Sequence, residues 1–299
     1  MATKYGLKFI GPITKPVDIA KISDLLSHSG PLQKTAKHTA CELFSQSDLV
    51  SALVNRDITA HFQPKICTRT GQLAGAEALA RWDHPDIGFI PPATFIPFAE
   101  NDGLIQVVTA SILRDSLSAL SHWSRQFPAM KMAVNLSGAV LVDPDLPEQL
   151  EASCRKNGVD PAQVILEITE SRVLSDNAMP LEVLARLRMK RFELSVDDFG
   201  TGYSNIDRLK EFPFTELKID RSYIRNAGSD PFADKCVRAS VDLGRSLGLR
   251  LVAEGVESEE DYRYAKSLDI DLIQGYYFSK ALAYDEFVQK YFAQTANVA

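Results

Sequence analysis

The 299-residue sequence predicts an α/β fold, a modified TIM-type (β/α)8 barrel whose first strand runs antiparallel to the rest. Three observations predict it. From residue 131 onward, short apolar runs alternate with segments of helical period, the pattern of a parallel sheet wrapped by helices. The first two runs, residues 61–66 and 73–82, are joined by a turn at Thr70-Gly71 too short for a parallel crossover, so they pair antiparallel. Seven apolar runs end on a polar residue: Glu77, Asn135, Glu167, Asp197-Asp198, Lys218, Glu254 and Gln274. In a closed barrel the C-terminal strand ends open on one face, so residues far apart in the chain would meet in one pocket.

Taken in order, residues 6–26 read as a short strand, a Lys15-Pro16 turn and a helix carrying Ile19, Ile22, Leu25 and Leu26. Residues 27–40, rich in Ser, Lys, His and Thr, read as a linker. Residues 1–45 are therefore expected to be a tail and linker, and residues 46–299 the barrel. A helix is predicted over 47–54. After the antiparallel pair come helices over 92–100 and 105–125; the second carries Val108, Ile112, Leu113, Leu117 and Leu120 on one face. The strand–helix pairs that follow are 131–135 with 147–157, and 164–168 with 179–189. Strand 193–197 precedes the loop Phe199-Gly200-Thr201-Gly202-Tyr203. Strand 215–219 precedes helix 231–247, 250–253 precedes 258–267, and 272–276 precedes 284–292.

Composition narrows the function. A net charge of −6 gives no basic field for DNA or anionic membrane. No run of eighteen apolar residues spans a membrane, and no apolar h-region follows Met1, so a cytoplasmic location is expected. Cys41, Cys67, Cys154 and Cys236 form no CxxC pair, and the five histidines form no HExxH. A zinc ribbon, a dithiol redox centre and a histidine-built metal site are thereby disfavoured. There is also no phosphate loop of the GxxxxGK[ST] type and no G-x-S-x-G elbow.

The polar strand ends carry the chemistry. Two adjacent carboxylates, Asp197 and Asp198, repel unless cations or strong donors neutralise them, and a bridging carboxylate is what a two-metal site needs. The same pair also suits a helix cap followed by a solvated acid. Glu77 and Glu167 interrupt apolar strands, where an unpartnered acid is costly, although each alone also suits a solvent-facing strand position. Asn135 offers an amide oxygen to a hard cation, or simply makes a turn. Lys218 either snorkels to solvent or stabilises charge on a phosphoryl oxygen. Glu254 and Glu257 offer a ligand or base and an outer acceptor, and Glu257 alone also suits a helix start. Gly200 and Gly202 permit a mobile loop.

At these residues the chain resembles the EAL family of cyclic di-GMP phosphodiesterases. The motif stands as Glu77-Ala78-Leu79-Ala80-Arg81. It is joined by Asn135-Leu136-Ser137, Glu167-Ile168-Thr169-Glu170-Ser171, Asp197-Asp198-Phe199-Gly200-Thr201-Gly202-Tyr203, Leu217-Lys218-Ile219-Asp220-Arg221-Ser222, Ala253-Glu254-Gly255-Val256-Glu257 and Gln274-Gly275-Tyr276. The resemblance implies hydrolysis of cyclic di-GMP to linear pGpG with two Mg²⁺ or Mn²⁺ ions. Glu77, Asn135, Glu167, Asp197, Asp198 and Glu254 would be the metal ligands. Glu77, Lys218 and Glu254 would be catalytic, with Lys218 orienting the attacking water. Gln63, Leu79, Arg81, Asn135, Asp220 and Gln274 would contact substrate. Glu170, Gly200, Gly202 and Glu257 would belong to the mobile loop and the outer shell. A homodimer is implied as well. The sequence departs from the family at Ala281, Asn205 and Cys67, none of them a ligand position. Residues 9–26 resemble the end of a response-regulator receiver domain, which implies an upstream receiver or sensor kinase. The alternative is a non-catalytic cyclic di-GMP receptor acting through a protein partner; a barrel hydrolase for another phosphate ester is a third reading.

Overall fold

A computed structural model describes residues 43–169, 181–200 and 206–293. All but residues 43–45 of these belong to the unit that begins at Gln46. The strand, turn and helix expected over 6–26, with their receiver-like character, lie outside the described residues.

Helix α1 (Gln46–Asn55) leads into β1 (Ile58–Cys67) and β2 (Leu73–His84), which pair antiparallel with Gln63 opposite Glu77. Gly71 makes the turn between them at φ 70°, a backbone angle that costs glycine little. Strand β3 (Gly88–Ile90) adds only to the outer end of β2. Helices α2 (Pro92–Asn101) and α3 (Ile105–Trp123) follow, and α3 buries Val108, Ile112, Leu113, Leu117 and Leu120, the face its periodicity specifies. The chain then alternates through β4 (Lys131–Asn135), α4 (Leu146–Asn157), β5 (Val164–Thr169), α5 (Leu181–Met189), β6 (Glu193–Phe199), α6 (Ile206–Glu211) and β7 (Glu216–Ile219). It ends with α7 (Arg221–Ile224), α8 (Pro231–Ser246), β8 (Arg250–Ala253), α9 (Glu259–Ser267), β9 (Leu272–Ile273) and α10 (Tyr284–Tyr291).

Strands β4 to β9 run parallel to β2, and β1 closes the ring by pairing antiparallel with both β2 and β9. Eight strands therefore form the closed barrel, with β3 outside it. Local signals set the helix starts: the Asp230 carboxylate accepts from the Phe232 amide at 2.8 Å, and Ser258 and Asp261 form a reciprocal capping box. Helix α10 seals the β1 side by aromatic packing. Phe287 stacks on Trp123 with ring centres 4.7 Å apart, and Phe62 meets Trp123 edge-on at 4.9 Å.

Three short elements, β3, α6 and α7, are not foreseen by the sequence; with three, six and four residues they are too short to show a period. The last strand is shorter than expected. It stops at Ile273 because the backbone turns at Gly275 to lie against the segment after β8: the Val256 amide donates to the Gln274 carbonyl, and Tyr277 donates back to Val256. A Cβ on Gly275 would stand 2.0 Å from the Val256 carbonyl oxygen. Gly275→Ala is therefore expected to destabilise the barrel by roughly 2–3 kcal/mol. Thermal unfolding would register this as a drop of several degrees; an unchanged midpoint would mean that the segment moves freely.

Candidate active site and metal centre

The C-terminal strand ends converge on a cavity of about 550 Å³, within the size range of small-molecule sites. Inward positions recur every second residue along each strand. At its centre the Lys218 ammonium, 1% exposed, touches four carboxylates. It lies 2.7 Å from Glu254 Oε1, 2.8 Å from Glu167 Oε2, 3.0 Å from Asp197 Oδ1 and 3.5 Å from Glu77 Oε2. Glu77 also accepts from Asn135 Nδ2 at 2.7 Å and from Gln274 Nε2 at 2.6 Å. Gln274 Nε2 further donates to Gln63 Oε1 at 2.9 Å, and Gln63 Nε2 donates to the Ser279 carbonyl at 3.1 Å. The two glutamines thus brace the wall between β1, β2 and β9. Gln274 Oε1 is buried and unpartnered, an acceptor left over beside the cavity that Gln274 lines.

A β-bulge supplies the second aspartate. Val196 pairs with Leu217 and Phe199 with Ile219, so two residues of β6 stand opposite Lys218 alone. Val196 and Phe199 are both buried. Asp198 takes the left-handed φ of 55°, which aspartate tolerates, and both carboxylates turn to the mouth. Carboxylate oxygens of Asp197, Asp198 and Glu254 lie within 4.8 Å of one another. These are hard oxygen donors, the donor class of Mg²⁺, Mn²⁺ and Ca²⁺.

The electrostatics register this crowding. Burial and the neighbouring Asp197 push the Asp198 carboxyl up to about 6. Burial, with Asp197 and Glu77 nearby, lifts Glu254 well above the ordinary carboxylate range against the pull of Lys218. Burial would also lift Glu77, but Lys218, Lys65 and the Gln274 hydrogen bond together hold that group low. Burial opposes the charge on Lys218, yet the surrounding acids raise it well above an ordinary lysine. A cation among these acids would offset the repulsion that adds to burial in lifting Asp198 and Glu254.

Beneath the mouth a second charged layer fills the barrel. Lys65 Nζ, 1% exposed, lies 2.7 Å from Glu167 Oε1 and 3.0 Å from Glu216 Oε1. Glu216 also meets Arg250 at 2.8 Å, Arg250 pairs with Glu193, and Glu193 pairs with Lys131. Burial would raise Glu216, but Lys65 and Arg250 more than offset it and hold the carboxyl at about 2. A carboxyl held below its unfolded value of 4.5 contributes stability above that value and loses it as pH falls toward 2. The contribution is on the order of 3 kcal/mol at neutral pH. Glu216→Gln is expected to flatten the fall in stability between pH 4.5 and 2, measured by denaturant unfolding across that range. An unchanged slope would assign acid lability to other groups.

Other anticipated residues fall in different places. Leu79 and Asp220 line the cavity, and Asp220 also caps α7 by accepting from the Ser222 amide at 2.8 Å. Arg81 is not among the residues lining the cavity; its guanidinium donates to the Ala80 carbonyl at 2.8 Å. Glu257 stands exposed at the rim, paired with Arg225. Gly200, at φ 99°, accepts from the Tyr223 hydroxyl. Glu170 and Gly202 lie outside the described residues. The sequence reading missed Lys65 and Glu216. Their signal was spacing: Lys65 is two residues from Gln63, and Glu216 two from Lys218, so each shares its neighbour's inward face. It also missed Arg221, Arg225 and Tyr276, which line the cavity.

Hard oxygen donors gathered around one buried ammonium in a barrel mouth make a site suited to divalent cations and a phosphorylated ligand. The EAL domain family model matches residues 46–281, and the chain belongs to that family. It is 33% identical over 285 residues to the cyclic di-GMP phosphodiesterase RocR of Pseudomonas aeruginosa, covering 95% of this chain and 73% of RocR. It is 34% identical to the probable cyclic di-GMP phosphodiesterase PdeB of Escherichia coli, covering 81% of this chain but 46% of PdeB. Among solved structures, the PaMucR phosphodiesterase in its c-di-GMP complex superposes with a TM-score of 0.77 at 35% identity, covering 81% of this chain and 98% of that one.

Proposed function

We propose that this barrel is a metal-dependent phosphodiesterase that hydrolyses one phosphodiester of cyclic di-GMP to linear pGpG, lowering the level of that second messenger in bacterial signalling. The family match and the relatives named as cyclic di-GMP phosphodiesterases support the enzyme class and the substrate. The observation that carries the reading is the set of carboxylates around Lys218. Glu77, Glu167, Asp197, Asp198 and Glu254 bring more carboxylates to the mouth than Lys218 and Lys65 offset, and divalent cations would neutralise the excess.

Glu77, Asn135, Glu167 and Asp197 would hold one Mg²⁺ or Mn²⁺. Asp197 and Asp198 would hold the other, with Glu254 beside them. Bound there, the cations would lower the pKa of a water toward neutrality and neutralise charge on the attacking and leaving oxygens. Lys218 orients that water and stabilises the phosphoryl charge. Gln63, Leu79, Asn135, Asp220 and Gln274, which line the cavity, would contact the dinucleotide, with Arg81 added by the family resemblance, and the buried Gln274 Oε1 offers an acceptor to it or to a bridging water. By the family resemblance, Glu170, Gly200, Gly202 and Glu257 would belong to the loop and outer shell of the site. The same reading takes residues 1–45 as a receiver-like tail. It gives a cytoplasmic homodimer with cyclic di-GMP as its partner, rather than DNA or membrane, under an upstream receiver or sensor kinase.

The test is incubation of the purified chain with cyclic di-GMP and Mg²⁺ or Mn²⁺, with products resolved by chromatography. Linear pGpG is expected, and none after chelation. Binding without turnover at any metal concentration would assign the receptor role instead. Neither binding nor turnover would point to another phosphate ester.

A further inference from the structure

Lys65 is not a ligand in the site proposed above, yet it makes the shortest contact to Glu167 in the barrel. We propose that Lys65 is a positioning residue: it grips Glu167 Oε1 from below, so that this carboxylate offers only Oε2 to the mouth. The proposal rests on the function given above.

The geometry of Glu167 carries it. The side chain is fully buried, and its two oxygens have different neighbours. Oε1 faces the Lys65 ammonium at 2.7 Å, in the lower layer. Oε2 faces Lys218 at 2.8 Å, among the mouth acids. A carboxylate free to rotate could swing both oxygens to one cation; one pinned at Oε1 by a fixed, charge-assisted bond cannot. Groups behind a ligand that fix its orientation are a recurrent part of metal sites.

The plainer account makes Lys65 a counter-ion for the buried Glu216. That acid also has Arg250, whose Nε lies 2.8 Å from its Oε2, so Lys65 is one of two cations that meet its charge and a counter-ion role leaves its contact to Glu167 unexplained. The Lys65 contact to Glu216, at 3.0 Å, is the longer of its two. Nor does stability explain the arrangement, because buried ion pairs contribute little over apolar residues of the same volume. Strand β1 is antiparallel to its neighbours and brings Lys65 within reach of Glu167 on β5 and Glu216 on β7.

The decisive variant is the neutral pair Lys65→Met with Glu216→Gln, which removes one charge of each sign, keeps Glu193 for Arg250 and leaves Glu167 with Lys218. Lys65→Met alone and Lys65→Arg accompany it. Mn²⁺ affinity is measured by the electron paramagnetic resonance of free Mn²⁺, stability by metal-free melting, and turnover with cyclic di-GMP. The neutral pair is expected to melt within a few degrees of the parent while its Mn²⁺ dissociation constant rises about tenfold or more. At saturating Mn²⁺, kcat is expected to fall and KM to stay nearly unchanged. Lys65→Arg, which keeps the charge, is expected to recover part of the affinity. Parent-like Mn²⁺ affinity in the neutral pair, with a parent that binds Mn²⁺ and turns over, overturns the role of Lys65 alone. A parent that takes up no Mn²⁺ overturns the proposed function and this role with it.

Discussion

Lys218→Met is expected to lower turnover of cyclic di-GMP at least about a thousandfold, a loss of roughly 4 kcal/mol in transition-state stabilisation. Among the described side chains, the Lys218 ammonium is the cation within 3.5 Å of all four carboxylates of Glu77, Glu167, Asp197 and Glu254. The same substitution should destabilise the metal-free protein. Removing the shared cation leaves Glu77, Glu167, Asp197 and Glu254 facing one another, and breaking a buried pair costs about 3–5 kcal/mol. Divalent cations should then raise the melting temperature of the variant more than that of the parent. Steady-state kinetics and metal-dependent melting read the two effects separately. Activity within tenfold of the parent would remove Lys218 from the reaction.

Glu77→Ala is expected to abolish product formation while leaving the barrel folded. Glu77 is where three walls meet: it accepts from Asn135 on β4, Gln274 after β9 and Lys218 on β7. Its loss removes an oxygen donor and frees both amides. Mn²⁺ affinity should fall with the activity, since the role proposed for Glu77 is that of a ligand rather than a proton carrier. The isosteric Glu77→Gln keeps the acceptor for Asn135 but not the charge, and should restore folding stability without restoring turnover. Chromatography of products, with Mn²⁺ titration, checks both variants. A Glu77→Ala protein that still makes pGpG would place the reaction elsewhere.

The barrel and most of its mouth were legible because apolar runs ending on polar residues mark strand ends, and the ring brings those ends together. Glu77 and Glu167, which singly suit an exposed strand face, are buried; only their number on separate strands favoured that placement. What lies deeper was hidden for a physical reason. Lys65 and Glu216 are 151 residues apart, and nothing local in β1 says that its lysine will meet an acid from β7. Glu257 repeats the acid pattern of its neighbour Glu254, yet sits one turn of loop further out, where Arg225 claims it. The bulge at Asp198 was equally invisible. Two adjacent acids on a regular strand point to opposite faces, and only the register against β7 reveals that these two share one.

That irregularity has a consequence for how such a mouth arises. Because Val196 and Phe199 both keep to the buried positions opposite Leu217 and Ile219, the extra residue disturbs neither flank. Adding a single codon within an otherwise straight strand is enough to place a second acid beside the first. The pair of adjacent acids at this mouth can thus be acquired or lost in one insertion or deletion event, with the pairing of Val196 and Phe199 kept.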